Sequence, residues 1–74
     1  MIDPLIKFIK ERRRSMDMTQ KDLADRAGVG LRFIRDLEQG KASLRLDKVN
    51  QVLALFGHRM EPAEFRMEMN DEES

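Results

Sequence analysis

Cysteine is missing from the 74-residue chain, which rules out a disulfide framework, a thiolate metal site and a sulfur nucleophile. A single histidine, His58, cannot build a zinc site alone. The apolar runs are far too short to span a bilayer, and neither a secretory leader pattern nor a glycosylation sequon stands out. There is no nucleophile–base pair and no glycine-rich phosphate loop, so catalysis is poorly supplied. The expectation is one small, metal-free, cofactor-free, non-enzymatic domain in the cytoplasm. Chains of this size bury only a modest share of their surface and often lean on a partner subunit.

What is present is charge, unevenly placed. The formal net charge is zero, yet residues 1–59 carry thirteen Lys or Arg against eight Asp or Glu. Residues 60–74 carry Arg66 against six acids. A basic domain with an acidic end points to a polyanionic partner for the domain.

Hydrophobic periodicity predicts four short helices. The first starts at Asp3, with Pro4 as its first residue, and runs to about Ser15 over a stripe of Leu5, Ile6, Phe8 and Ile9. Arg12-Arg13-Arg14 falls on its last turn, either as a solvated end or as a set of phosphate contacts. Asp17 marks a sharp turn, and Met18 can reach the core. Thr19 and Asp22 have the spacing of a shortened capping box for the second helix, which turns Leu23, Ala24 and Ala27 inward. Gly28 ends that helix and Val29 plugs the turn.

The third helix starts at Gly30. Ile34 and Leu37 form its inner face, flanked by Leu31 and Glu38, while Arg32, Arg35, Asp36 and Gln39 project outward. Gly40 closes it. A fourth helix from Leu46 to Phe56 buries Leu46, Val49, Val52, Leu53 and Phe56 before Gly57. Beyond it, His58 to Glu61 reads as a short edge strand, or Pro62 as the start of a fifth helix. Residues 1–57 thus form the domain, 58–65 a dimerisation segment, and 66–74 an acidic, disordered tail.

Met18-Thr19-Gln20, Leu23-Ala24, Ala27-Gly28-Val29, Ile34, Leu37-Glu38-Gln39-Gly40-Lys41 and Leu46-Asp47 together resemble the lambda-repressor-like, XRE-type helix-turn-helix family. The likeness covers about residues 5–57. It implies an all-α bundle of four helices that binds double-stranded DNA and regulates transcription as a repressor. Within that family, Gly30-Leu31-Arg32-Phe33-Ile34-Arg35 and Arg45-Leu46-Asp47 are most similar to HipB-type antitoxin regulators. One such unit reads only a few base pairs, so a homodimer on a palindromic operator is expected. The narrower resemblance implies a C-terminal strand paired across the two-fold axis and a HipA-like kinase toxin as partner, the alternative being a protein whose main role is to hold that toxin inactive.

The family likeness places Leu31, Arg32, Phe33 and Arg35 nearest the base edges. Either arginine suits a guanine, while Leu31 and Phe33 either touch a thymine methyl or pack inward. Gln20 stands at a helix start, where its amide and free backbone N–H groups suit a phosphate, unless it is merely solvated. Lys41, Arg45 and Arg14 are further phosphate candidates. The resemblance makes Arg13 and Glu38 a structural ion pair. It also marks three departures: Gly30 lacks a hydroxyl cap, Arg45 replaces a capping serine, and Asp36 adds a negative charge near the DNA. Helix 4 with His58, Met60 and Phe65 is the expected dimer surface, local packing being the alternative. Asp22, Asp25 and Asp36 look like a metal cluster but read better as a cap and a solvent face.

Overall fold

The computed structural model describes residues 3–41 and 43–64, which form α1 (Asp3–Ser15), α2 (Gln20–Ala27), α3 (Leu31–Glu38) and α4 (Leu46–Leu55). No strand occurs among the described residues. The fold is the small all-α bundle that the periodicity predicts.

Every helix contributes to one core. Ile9 of α1, Leu23 and Ala24 of α2, Ile34 and Leu37 of α3, and Val49, Val52 and Leu53 of α4 are buried, joined by Met18 from the first turn. α2 packs on both α3 and α4, and α1 packs on α3. Leu5, Phe8, Ala27, Val29, Leu31, Phe33, Leu44 and Phe56 form a half-buried rim around that centre.

The helices all stop in the same way. Each ends with a backbone N–H reaching back five residues: Met18 to Arg13, Val29 to Ala24, Lys41 to Asp36 and His58 to Leu53, at 2.9–3.0 Å. This closure needs a residue in the left-handed region just before the donor. Glycine supplies it at Gly28, Gly40 and Gly57, whereas Asp17, at φ 55°, supplies it after α1. A side chain there costs roughly 1–2 kcal/mol, less for Asp than for most residues. Asp17→Gly is therefore expected to stabilise the fold by about 0.5–1 kcal/mol, after the larger chain entropy of glycine is subtracted. A urea midpoint that stays put or falls would contradict this account of the first turn.

Three expectations need correction. Leu46 is 57% exposed, not buried. It lies at the edge of the inward face of α4, and Leu44 from the preceding loop packs against the core instead. α3 ends at Glu38 with Gln39 as its flanking residue, so Gly40 is the left-handed residue after the cap. Residues 58–64 form neither strand nor helix. The Met60 N–H donates to Asn50 Oδ1 at 2.8 Å, and no neighbouring strand among the described residues offers a ladder. The acidic tail and Phe65 lie outside the described residues.

Candidate nucleic-acid interface

The start of α2 is built as a reciprocal cap. Thr19 Oγ1 accepts from the Asp22 N–H at 3.0 Å, and Asp22 Oδ2 accepts from the Thr19 N–H at 3.0 Å. Hydrogen bonding to the carboxyl from the Thr19 backbone, and next from the Thr19 side chain, holds Asp22 below its ordinary value. The N–H groups of Gln20 and Lys21 remain directed out of the helix start, as the first donors of any helix are.

The Gln20 side chain takes a direction that the linear pattern does not reveal. Its amide donates to Glu38 Oε1 at 3.1 Å. Glu38 is 5% exposed and also accepts from Arg13 Nε at 2.8 Å and Arg13 Nη2 at 3.0 Å. The remaining Arg13 nitrogen donates to the Met18 carbonyl at 3.0 Å. Burial is the largest influence on Glu38 and opposes its charge. The bonds from Arg13 and Gln20, with the charges of Arg13 and Lys10, together outweigh it and hold the carboxyl below its ordinary value. One carboxylate thus joins α1, α2 and α3 directly behind the outward face of α3. Only the second amide hydrogen and the backbone N–H of Gln20 remain for a phosphate.

On α3 the four base-contact candidates separate into two kinds. Leu31 and Phe33 are half-buried against the core, while Arg32 and Arg35 are exposed. No carboxylate among the described residues lies within salt-bridge distance of either arginine. Gln39 is exposed on the same arc, an additional polar group that its outward helical phase signals and its end position obscures.

The other cations are partly engaged. Lys41 Nζ pairs with Asp36 at 3.5 Å, and Arg45 meets Asp47 with two bonds of 2.7 and 3.2 Å. The bonds from Arg45, rather than burial, lower the Asp47 carboxyl. Arg14 is exposed, and neighbouring Arg12 lies 5.3 Å from the Phe8 ring centroid. The three aspartates that resemble a metal cluster are held separately: Asp22 by Thr19, Asp25 by Lys21 at 3.0 Å, and Asp36 by Lys41.

Beyond the end of α4, the His58 ring centroid lies 4.6 Å from that of Phe8. Its Nδ1 is 2.7 Å from the Phe56 carbonyl oxygen, which can only accept, so that nitrogen carries the hydrogen. Met60 is exposed nearby. Leu5, Phe8, Leu53, His58 and Met60 help to line an open groove of about 370 Å³.

Two short helices joined by a left-handed glycine turn, the second showing free arginines to solvent, define a helix-turn-helix domain, the class of module that lays its second helix in the major groove. The comparisons agree on the particular family. Residues 9–60 match the model of the helix-turn-helix family, and the chain belongs to that family. It is also similar to an uncharacterized HTH-type transcriptional regulator, y4mF, of Sinorhizobium fredii (strain NBRC 101917 / NGR234). The two are 51% identical over 45 residues, covering 61% of this chain and 59% of that protein. The chain therefore spans less than two thirds of that relative's length. No solved structure matches. Among the described residues, no helix is long and apolar enough to cross a membrane.

Proposed function

We propose that this chain is a sequence-specific DNA-binding transcription regulator, a repressor that acts in the cytoplasm without catalysis, binding a palindromic operator as a homodimer. The observation that carries the reading is the outward face of α3, where Arg32 and Arg35 stand exposed and unpaired among the described residues. Leu31 and Phe33 add apolar contact at its edge. Phosphate contacts come from the start of α2 at Gln20, from Lys41 after α3, and from Arg45 and Arg14. A domain this small reads only a few base pairs, and two-fold symmetry doubles them. The groove beside His58 and Met60, with exposed Leu46 and Leu55 on α4, supplies apolar surface for a second copy. Phe65 follows that surface in sequence.

The likeness of Gly30 to Arg35 and of Arg45 to Asp47 to HipB-type regulators supports a narrower role. The chain is then the antitoxin of a toxin–antitoxin operon, which it represses while binding a HipA-like kinase toxin. Selection of bound duplexes from a random pool tests the main reading. Two inverted half-sites are expected, their centres about 10–10.5 base pairs apart or a multiple of that spacing. An asymmetric single site, bound by one chain in sedimentation, would remove the homodimer.

A further inference from the structure

One anion stands on the outward arc of α3. Asp36 lies one helical turn beyond Arg32, its side chain 28% exposed. It occupies the last turn of α3, where the helix dipole disfavours negative charge. Helix stability therefore gives no reason for a carboxylate there.

Its partner is Lys41, held at two points. The Asp36 carbonyl accepts from the Lys41 N–H at 3.0 Å in the turn that closes α3. Asp36 Oδ2 then accepts from Lys41 Nζ at 3.5 Å. The first bond fixes where the Lys41 side chain begins, and the second directs its ammonium group back over α3. Arg32, though four residues from Asp36 and within helical reach, makes no ion pair with it. The carboxylate thus restrains the phosphate candidate and leaves the base-reading candidate free.

An exposed pair of this kind is weak, so a DNA phosphate competes with Asp36 for Lys41. On arbitrary DNA that exchange leaves a half-buried carboxylate without a donor beside the phosphate backbone. On a site presenting a cytosine amine in the major groove, the carboxylate gains a new donor. The exchange is then balanced, and Lys41 reaches its phosphate.

We propose that Asp36 is a specificity-determining positioning residue, which keeps Lys41 off the backbone of arbitrary DNA and releases it on a site that offers the carboxylate a cytosine amine. The proposal rests on α3 being the helix that enters the groove. It goes further in giving an acidic residue on that helix a discriminating role exercised through a neighbouring lysine.

The test compares the full chain with Asp36→Ala, Lys41→Met and the double variant. Binding is followed by fluorescence anisotropy, over a range of salt, on a random duplex and on the duplex recovered by selection. Asp36→Ala is expected to tighten binding to the random duplex by about two- to fivefold per domain. Its salt dependence should steepen by about 0.9 in log–log slope as Lys41 gains a phosphate. Affinity for the selected duplex should fall, so the ratio between the two narrows. In the Lys41→Met background the same substitution should change random-duplex binding by less than about twofold.

Equal tightening with and without Lys41 would reduce Asp36 to plain charge repulsion and overturn the proposal. A lowered urea midpoint for Asp36→Ala, with no gain on the random duplex, would make the pair structural and overturn it too. If the unaltered chain binds no duplex, the reading of α3 and the proposal fall together. If Arg35→Ala weakens binding to the selected duplex by at least about fivefold while the Asp36–Lys41 coupling is absent, only the proposal falls.

Discussion

Glu38→Ala is expected to cost about 3–5 kcal/mol of folding stability. A domain of 74 residues has only about 4–11 kcal/mol in total, at roughly 0.05–0.15 kcal/mol per residue. The substitution removes the acceptor of three hydrogen bonds at once. It leaves the Arg13 guanidinium, whose side chain is 13% exposed, with only the Met18 carbonyl as partner. The cost comes from the group left behind more than from the pair itself. Arg13→Met should accordingly be severe too, because it leaves a buried carboxylate held by Gln20 alone. The double variant Arg13→Met/Glu38→Met should recover most of the loss, since apolar residues can replace a buried pair with little net change. Urea melts of the four proteins decide the matter. A double variant as unstable as the sum of the two singles would show that the two losses are independent and that neither comes from a charge orphaned by removal of its partner.

The same residue sets an acid limit. The folded-state carboxyl of Glu38 lies below its ordinary value of 4.5. Its contribution is thus fully present above the unfolded-state value and is lost as pH falls through the lower folded-state value. Stability of the unaltered chain should decline below about pH 4.5, more steeply than that of Glu38→Gln. Asp22 and Asp47 are shifted in the same direction, but both are exposed, where solvent screens such interactions. Parallel acid profiles for the two proteins would remove Glu38 from this role.

How much of this was legible in the linear chain depends on whether the signal is local. Thr19 with Asp22, and Gly28, Gly40 and Gly57, act within one turn of themselves, and α2 begins beside Thr19 while α2, α3 and α4 end within two residues of those glycines. Burial at Leu46 is different. Helical phase allows it a place near the core, but Leu44 from the preceding loop is the residue that packs there, and phase carries no information about a loop. Gln20 reads as a polar residue at a helix start. That its amide turns inward depends on Glu38, eighteen positions away, arriving from another helix. The Lys41–Asp36 and Arg45–Asp47 pairs escape the usual spacing rule because each spans a helix end rather than a helix face. Residues 58–64 are the extreme case, since a strand exists only by virtue of the strand beside it.

Arg35→Ala and Arg32→Ala carry the largest expected effect on DNA binding, about 1–3 kcal/mol each per half-site. That corresponds to roughly five- to 150-fold in affinity, and to more where both half-sites of a symmetric operator are altered together. Both side chains are exposed and leave no buried partner behind, so their urea midpoints should barely move. This separates them from Glu38, whose substitution would weaken binding through the lost stability of the domain. Each arginine variant should relax the preference at one base position in a repeated selection, because a bidentate contact to guanine is lost. Lys41→Ala should weaken binding to the selected duplex and flatten its salt dependence by about 0.9, while random-duplex binding, where Asp36 holds the ammonium group, changes far less. Gln20→Ala needs its own control, because the lost amide also holds Glu38; its binding is compared only under conditions where its melt shows it folded. Equal losses for Arg32, Arg35, Gln20 and Lys41 variants on specific and random DNA would mean that α3 adheres to the backbone without reading bases. In that event the exposed arginines would be electrostatic anchors, and sequence preference would have to come from the shape of the duplex.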